Sequence, residues 1–291
     1  MRWKMYEVVF ELLSPLHIGK RKIGNLQQTR YYVPGRTLWG ALTARMARDD
    51  GNFDYEKTGR DVDEFLRFTY FYPTDDDKKI TLFPWGDPDE FEWKYIQSYV
   101  TTALDPKVRK ADYGSLHEAE YIAPKTRRNE KVYLLGYIFE RDDCNLNWKE
   151  ALPKLLLGGE RTYGWGRVRV SQKSCKNTSQ LDYFMCKKAS STGSNGSNNK
   201  YIYEVELNDK APVIRVHESC PVISHVLADD QINDYVECGN IEPLVGLETN
   251  TKDGNFGSKI SAARICWTPG TKFKKAFNFL ICQKGIWKFE S

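Results

Sequence analysis

The residues whose types and spacing suggest chemistry lie mainly in one glycine-rich stretch, LLLGGERTYGWGRVRV, at 155–170. Glycines let a ligand approach the backbone, whose N–H groups can then bind phosphate oxygens, while arginines add positive charge and aromatic rings offer stacking faces. This combination is typical of a surface that holds single-stranded RNA. The residues that we predict to bind RNA here are Gly158, Gly159, Arg161, Tyr163, Gly164, Trp165, Gly166 and Arg167.

Two nucleotide-binding motifs and one purely structural explanation compete with this interpretation. A Walker loop follows a strand, precedes a helix and carries a Lys-Ser/Thr pair, whereas this stretch leads into Trp165 and the strand-like RVRVSQ. A dinucleotide fingerprint needs the same strand-to-helix order and is excluded for the same reason. A helix-ending glycine followed by a turn accounts for Gly158 or Gly159 alone. Four glycines within 158–166 favour a binding loop instead.

A second group of candidate residues lies near the N-terminus, around the segment LHIGKRKIG. His17 is the best candidate for the general base of a metal-independent ribonuclease, although we favour a positioning or packing role for it. Basic residues follow it closely and form a further cluster in the turn KTRRNE. The residues predicted to extend the RNA-binding surface are His17, Gly19, Lys20, Arg21, Lys22, Arg36, Arg45, Lys125, Arg127 and Arg128.

The sequence contains no motif that is typical of a metal site or of a cofactor-binding site. No HExxH motif occurs, the acidic run DDD at 75–77 lacks the alternation of a calcium loop, and the seven cysteines include no CxxC pair. The isolated histidines His117, His217 and His225 are interpreted as structural. We therefore predict no metal site and no cofactor.

Composition and charge indicate a globular protein of one large or two ordinary domains. The 291 residues are 41% hydrophobic and 28% charged, and 43 Lys and Arg against 39 Asp and Glu give a net charge of +4. Such a small excess does not by itself indicate a nucleic-acid-binding protein, so the local distribution of charge matters more. The N-terminal apolar run is interrupted by Glu7 and Glu11, which argues against a signal peptide or membrane span and favours a cytoplasmic protein.

The elements around these residues follow the order strand, helix, strand, strand, helix, strand. Strands are predicted at 5–13, 119–124, 131–140 and 167–172, and the turn KTRRNE is predicted to join the middle two as a hairpin. This order is that of an α+β, ferredoxin-like domain, with the glycine-rich stretch before the last strand. We treat 50–115, which is aromatic and acidic, as an insertion.

Two helices complete this first domain. The first is predicted to be capped by Thr37 and to bury Leu38, Ala41, Leu42 and Met46. The second is predicted to begin with a capping box formed by Asn147 and Glu150, and to bury Trp148, Ala151, Leu152, Leu155 and Leu156.

A Ser/Gly/Asn-rich segment, 187–200, is predicted to be a flexible linker or loop between a domain at 1–175 and a β-rich domain at 201–291. In the second domain we predict strands at YIYEVEL and ARICW and a terminal hairpin that turns at Lys284-Gly285. The segment between those strands is either a second RNA-facing loop or an ordinary surface connection. Its candidate residues are Gly246, Gly254, Gly257, Lys259 and Arg264.

Three segments resemble a known family. GGERTYGWGRV after a predicted helix resembles the signature loop of the RAMP superfamily of CRISPR-associated RNA-binding proteins, while LLSPLHIG and YYVPGRTLWGAL resemble the N-terminal pattern of RAMP subunits from type III effector complexes. The chain is most similar to the Cas-five group, which comprises the Csm-four, Cmr-three and Csx-ten kinds. The second half after 187–200 departs from any motif of the group, and the resemblance leaves open that 201–291 is a degenerate RAMP domain.

The resemblance implies a ferredoxin-like fold and a guide-RNA-binding subunit of a ribonucleoprotein in antiviral defence. Such a subunit holds the repeat-derived 5′ handle of CRISPR RNA, contacts the large subunit and backbone RAMP subunits, and meets target RNA or DNA only indirectly. Three alternatives remain open: an endoribonuclease that processes precursor RNA with His17, a backbone RAMP subunit along the spacer, or a target-cleaving subunit that uses Asp49 or Asp50.

Overall fold

The computed structural model describes residues 2–51, 53–105, 107–111, 113–172, 174–178, 203–248 and 259–290. The segment predicted as a linker, 187–200, lies outside the described residues, as do Gly254 and Gly257. The division of the chain at this linker, and the interpretation of 201–291 as a degenerate RAMP domain, stay predictions.

The first half of the chain alternates strands with helices. In chain order its elements are β1 (Trp3–Leu12), β2 (Gly19–Ile23), β3 (Leu26–Thr29), α1 (Gly35–Asp49), α2 (Tyr55–Phe65), β4 (Leu66–Phe68), β5 (Tyr72–Thr74), α3 (Pro88–Tyr95), β6 (Ile96–Thr101), β7 (Leu104–Asp105), β8 (Lys110–Ala111), β9 (His117–Ile122), β10 (Tyr133–Arg141), α4 (Trp148–Ala151), β11 (Val168–Val170) and β12 (Lys176–Thr178). Two 3-10 helices, Leu152–Lys154 and Arg161–Tyr163, precede β11.

A six-stranded antiparallel sheet organises this half, and we call it the central sheet. Its order is β11-β1-β10-β4, with β12 pairing with β1 and β5 pairing with β10. Helix α1 connects β1 to the β4–β5 edge, and α4 connects β10 to β11 on the other edge. This is the strand order of a ferredoxin-like domain, so the predicted α+β, ferredoxin-like fold is confirmed.

Both faces of the central sheet are buried, which explains why β1 is almost continuously apolar. Val8 and Phe10 point into a core shared with α1 and α4, whereas Met5 and Val9 point into a second core shared with the C-terminal half. Because successive side chains in a strand face opposite sides of a sheet, a strand covered on both faces reads as a hydrophobic run.

The second strand of the ferredoxin-like core is not where the sequence placed it. The strand predicted at 119–124 exists as β9, but it pairs with β6 and β3 in a separate four-stranded sheet of order β2-β3-β9-β6. The second position in the central sheet belongs to β4 and β5, within the stretch treated as an insertion. The insertion prediction is therefore wrong for 66–74.

The predicted hairpin between 119–124 and 131–140 is also wrong. The two segments are joined by an isolated bridge between Lys125 and Lys131, and β9 and β10 belong to different sheets. The turn itself is tight, because the amide of Thr126 donates to the carbonyl of Glu130 at 2.9 Å and the Thr126 hydroxyl bonds the Glu130 carboxylate at 3.0 Å.

Helix starts differ from the predicted caps. Helix α1 begins at Gly35 with Pro34 in the capping position, so Thr37 lies in the first turn and is not the cap. Asn147 does occupy the position before α4, but its side chain makes no capping hydrogen bond. The chain leaves the α-helix after one turn because Pro153 has no amide hydrogen to continue it. Leu156 consequently lies past the helix and is 42% exposed instead of buried.

The C-terminal half is built almost entirely from strands. In chain order these elements are β13 (Glu204–Leu207), β14 (Pro212–Val216), β15 (Val226–Leu227), α5 (Asp230–Asn233), β16 (Val236–Cys238), β17 (Ile241–Leu244), β18 (Leu247–Glu248), β19 (Lys259–Ile260), β20 (Arg264–Trp267), β21 (Lys272–Phe273), β22 (Phe277–Ile281) and β23 (Trp287–Phe289). The predicted terminal hairpin is confirmed, because β22 pairs antiparallel with β23 across a 3-10 turn at Gln283–Gly285.

The C-terminal strands form a seven-stranded sheet of order β13-β14-β22-β23-β15-β20-β17. It packs against the central sheet through the second core, which includes Trp287 and Phe279 from this sheet and Tyr72 and Phe139 from the central sheet. None of the described helices has the length and apolar character that a membrane crossing requires.

Candidate nucleic-acid interface

The glycine-rich loop is fastened to the loop that follows β1. The amide of Gly159 donates to the carbonyl oxygen of His17 at 2.9 Å. Gly158 has a φ of +73°, and a Cβ atom there would lie 2.3 Å from the same oxygen. Only glycine allows this conformation and this approach without displacing the backbone.

Gly166 is required for a similar reason. Its amide donates to the carbonyl of Pro15 at 2.8 Å and its carbonyl accepts from the amide of Leu157 at 2.9 Å. A Cβ atom on Gly166 would lie 1.9 Å from the carbonyl oxygen of Leu157. Gly164, in contrast, ends the 3-10 helix Arg161–Tyr163 with a φ of +77° and faces open space. Two of the four glycines thus serve backbone packing within the protein.

Arg161 stabilises the loop through two side-chain hydrogen bonds to its backbone. Its guanidinium donates to the carbonyl of Gly158 at 3.1 Å and to the carbonyl of Leu156 at 3.2 Å. Desolvation lowers the pKa of this guanidinium, and the nearby charge of Arg48 acts in the same direction. Arg161 therefore shapes the loop and adds a cation to it.

The loop borders a cavity of about 400 Å³, which we call the loop cavity. It draws on the segment after β1, the first turns of α1, the glycine-rich loop and β18. The residues that matter for its chemistry are His17, Gly19, Arg36, Trp39, Gly158, Gly159, Arg161 and Glu248.

A second cavity of about 670 Å³ adjoins it, and we call this one the basic cavity. Gly19, Arg36, Thr37 and Glu248 line both cavities, so the two form one continuous surface. The basic side chains along the basic cavity are Lys20, Arg30, Arg36, Lys259, Arg264 and Lys284. Among the described residues of this lining, the acidic one is Glu248.

Glu248 lies between the cations at the junction. Its carboxylate is 3.2 Å from the guanidinium of Arg36 and 3.5 Å from the ammonium of Lys284. Partial burial favours a raised pKa for Glu248, but the charges of Lys284 and Arg36 prevail and lower it. Lys284 also contacts Asp63 at 3.4 Å and lies over the ring of Trp39 at 4.3 Å. Arg30 is also paired, with Glu242 at 2.6 Å, so three of the six cations in this lining have carboxylate partners.

His17 is 6% exposed and lines the loop cavity. Its Nδ1 lies 2.7 Å from the carbonyl oxygen of Glu120. Since a carbonyl only accepts, Nδ1 carries a proton and donates it to this oxygen. This contact fixes the orientation of the imidazole next to the glycine-rich loop.

The remaining N-terminal candidates are dispersed. Lys20 lines the basic cavity, whereas Arg21 and Lys22 lie on the exposed β2–β3 hairpin, where Arg21 bonds Gln28 at 2.6 Å. Arg45 forms an ion pair with Asp49. Neither Arg21, Lys22 nor Arg45 is part of the lining of the two cavities among the described residues.

The second basic cluster lies at the turn after β9 and next to α3. Arg127 donates to the backbone carbonyl of Trp93 at 2.8 Å, Arg128 lies over the Trp93 ring, and Lys125 bonds Asn129 at 2.8 Å. Its three members line neither the loop cavity nor the basic cavity.

The last members of the glycine-rich stretch face other surfaces. Tyr163 and Trp165 line a small cleft against β6 and β9. Arg167 borders an open groove of about 540 Å³ together with Lys154 and Arg169. The sequence analysis assigned Arg161 and Arg167 to the same RNA-binding loop, but the fold directs them to separate cavities.

Sequence reasoning missed Arg30, Trp39, Lys284 and Glu248. Lys284 was noted only as a turn residue, and nothing in the pattern of the other three sets them apart. Lys259 and Arg264, from the possible second RNA-facing loop, do line the basic cavity. Asp49, named for the target-cleaving alternative, is paired with Arg45 and Lys154, and the Arg45 hydrogen bond lowers its pKa to about 2. Among the described residues, no group of three His, Cys, Asp or Glu is arranged to hold a metal.

Comparisons with solved structures returned chains of type III-B Cmr-beta complexes. One, from a complex bound to cognate target RNA and AMPPnP, aligns over 92% of this chain and 86% of its own length, with a TM-score of 0.49 and 13% identity. Another, from the complex bound to cognate target RNA, aligns over 57% and 96%, with a TM-score of 0.41 and 11% identity. A third, from the apo state, has the same coverage, a TM-score of 0.37 and 9% identity.

The sequence itself was compared with curated proteins and with family models. No curated protein matches it. The model of the RAMP superfamily matches residues 9–169, which is more than half of the chain and runs from β1 through the glycine-rich loop to β11. The predicted family is therefore confirmed, and this chain belongs to the RAMP superfamily.

Proposed function

We propose that the chain is a non-catalytic, guide-RNA-binding subunit of a type III CRISPR effector complex. In this role it holds the repeat-derived 5′ handle of CRISPR RNA and contacts the large subunit and the backbone RAMP subunits in the cytoplasm. It meets target RNA or DNA only through the complex. Membership of the Cas-five group rests on the sequence resemblance.

The observation that carries the proposal is the continuous surface made by the loop cavity and the basic cavity. Six basic side chains line the basic cavity, and the surface passes directly to the backbone of Gly158 and Gly159. Cations spaced along a surface bind successive phosphates by releasing counterions. Together the two cavities suit an extended polyanion better than a single nucleotide.

The environment of His17 favours a scaffold over a nuclease. Its ring is nearly buried and its Nδ1 is held by the carbonyl of Glu120. Cleavage also needs a proton donor for the leaving 5′ oxygen. The nearest cation in sequence is Lys20. It lies over the Tyr31 ring, 5.9 Å from the ring centre, and it lines the basic cavity, whereas His17 lines the loop cavity. We assign His17 the role of fixing the loop after β1 against the glycine-rich loop.

The test of the proposal is the affinity for labelled repeat RNA over a range of salt concentrations. Each phosphate contact contributes a slope of roughly −0.7 to log K against log [salt] for a single strand. We expect Lys20→Ala with Lys259→Ala to weaken binding and to flatten the slope by about 1.4. Lys274→Ala, which removes an exposed charge outside both cavities, is the matched control. An unchanged affinity and slope in the double variant would refute the proposal.

The ribonuclease alternative predicts a different result with the same RNA. Incubation of the protein with repeat RNA in EDTA should leave a stable, uncut complex. A defined product that disappears in His17→Ala would instead show an enzyme. A backbone subunit would be present in several copies per guide, so the native mass of the assembled complex distinguishes that third possibility.

A further inference from the structure

A separate cleft lies beside the glycine-rich loop, between that loop and the strands β6 and β9. It encloses about 220 Å³, and its walls include Tyr99, Thr101, His117, Glu160, Tyr163 and Trp165. We propose that this cleft binds one unstacked base of the RNA and that Glu160 makes it selective for guanine. The inference rests on the proposed function, because it assigns one base of the bound RNA to this cleft.

The volume and the aromatic walls fit a single planar group. Pockets that bury a drug-sized molecule usually enclose roughly 300–1,000 Å³, and this cleft is smaller. Tyr99 and Tyr163 are 57% and 58% exposed, although their rings border a concave surface. Trp165 is braced edge-to-face by Tyr121 with ring centres 5.1 Å apart. Splayed-out RNA bases are commonly stacked on such exposed rings.

His117 forms a fixed wall of the cleft. Its Nδ1 lies 3.0 Å from the carbonyl of Ser115, which can only accept, so Nδ1 carries the proton. Its Nε2 is then the acceptor for the Thr101 hydroxyl at 2.8 Å. Both ring nitrogens have partners, so His117 contributes its ring face and has no free nitrogen for proton transfer.

Glu160 is held in an unusual backbone conformation at the edge of the cleft. Its φ is +54°, a region that non-glycine residues seldom occupy. The turn maintains it, because the Glu160 carbonyl accepts from the amide of Tyr163 at 3.0 Å. Its carboxylate forms no ion pair with any other side chain in the described part of the chain.

A carboxylate at this position repels phosphate and favours a neutral group that donates hydrogen bonds. Guanine presents two adjacent donors, N1–H and the 2-amino group, on its Watson–Crick edge, which matches the two oxygens of a carboxylate. Cytosine and adenine each present one amino group there. Guanine is therefore the base that Glu160 selects.

The first test is an abasic scan of the repeat RNA with wild type and Tyr163→Ala. We expect one abasic position to reduce wild-type affinity by about 10-fold, because a stacked base contributes roughly this much. In Tyr163→Ala the intact RNA should bind about 10-fold more weakly, and the same abasic position should cost little more. Tyr113→Ala, in which a fully exposed tyrosine outside the cleft is removed, should keep the wild-type pattern.

The second test replaces guanine at that position with inosine, which lacks the 2-amino group. Wild-type affinity should fall several-fold, whereas Glu160→Gln should bind both RNAs with closely similar affinity. Tight binding of repeat RNA without any abasic-sensitive position would show that the cleft binds no base. Equal sensitivity in wild type and in Tyr163→Ala would show the same, and both results would leave the proposed function intact. If the position that is sensitive to base removal is not a guanine, the assignment of guanine selectivity to Glu160 is wrong. Failure of wild type to prefer repeat RNA over a shuffled sequence would overturn both the cleft and the proposed function.

Discussion

The amide of Gly159 donates a hydrogen bond to the carbonyl oxygen of His17 at 2.9 Å, and this contact joins the glycine-rich loop to the loop after β1. The two segments are distant in sequence, and each supplies one wall of the loop cavity. The glycine next to this contact must remain side-chain-free for the segments to meet, because a Cβ on Gly158 would lie 2.3 Å from the His17 oxygen.

Gly158→Ala is therefore expected to destabilise the protein more than Gly164→Ala. Both positions have positive φ, which costs an alanine about 1–2 kcal/mol. Gly164 faces open space, so its variant should lose only this amount, whereas Gly158→Ala must also separate the two loops. Urea unfolding of the two variants measures the difference. Equal losses would contradict the close approach of Gly158 to His17.

The sequence predicts well the elements that carry a strong pattern. The strands β1, β10 and β11 and the buried face of α1 were recognised because alternating or continuous apolar residues and helical spacing reflect burial directly. The strands β4 and β5 were missed because each spans three residues and β5 contains Pro73, which lowers strand propensity. Their place in the central sheet is set by tertiary pairing with β10, which leaves no local signal.

The candidate site also combines features that the sequence predicts with features that only the fold explains. The glycine-rich loop could be recognised from composition, yet Gly158 and Gly166 are needed because their backbones meet the distant residues His17 and Pro15. Lys284 reaches the basic cavity only because the terminal hairpin packs its turn against α1, where a Cβ on Gly35 would lie 2.7 Å from the Lys284 carbonyl oxygen. Such a placement depends on the complete fold.

Glu248→Gln is expected to increase the affinity for repeat RNA. The substitution removes the acidic group at the junction of the two cavities, releases Arg36 from its ion pair and leaves Lys284 with Asp63 alone. Because partly exposed pairs contribute up to about 1 kcal/mol, the increase should be roughly 2- to 5-fold. Fluorescence anisotropy at two salt concentrations measures it, and Glu237→Gln provides a control outside both cavities. A weaker complex would show that Glu248 orients the cations instead of opposing the RNA.

Loss of Arg161 is expected to lower both the stability of the protein and its RNA affinity, whereas loss of Arg167 is expected to leave the stability nearly unchanged. Arg161→Ala removes two hydrogen bonds to loop carbonyls and should lower the free energy of unfolding by about 1 kcal/mol as well as the RNA affinity. Arg167→Ala removes an exposed side chain from the separate groove, so it should lower the RNA affinity less than Arg161→Ala does and leave the free energy of unfolding within about 0.5 kcal/mol. Arg60→Ala, which lies outside both cavities, controls for the loss of one positive charge. Equal effects on stability would contradict the supporting role of Arg161.

A buried hydrogen-bonded chain predicts how the stability of the protein depends on pH. The Tyr70 hydroxyl lies 2.7 Å from Nδ1 of His225, whose Nε2 lies 2.5 Å from a Glu242 oxygen that also accepts from Arg30 at 2.6 Å. Burial lowers the pKa of His225, and its hydrogen bond to Glu242 only partly offsets this. Burial favours a raised pKa for Glu242, but the hydrogen bonds from His225 and Arg30 prevail and lower it to about 2.

Both shifts make acid destabilising. Below about pH 6.5 the unfolded chain binds a proton at His225 that the folded protein resists, and below about pH 4.5 the same applies to Glu242 until the pH approaches 2. The free energy of unfolding should therefore fall as the pH decreases from 7.5 to 5, and this fall should be smaller in His225→Gln. Urea unfolding at several pH values measures both slopes, with the exposed His217→Gln as the matched control. If His225→Gln keeps the full wild-type slope, the titration must come from other groups, because a glutamine cannot bind the proton that this argument assigns to His225 in the unfolded state.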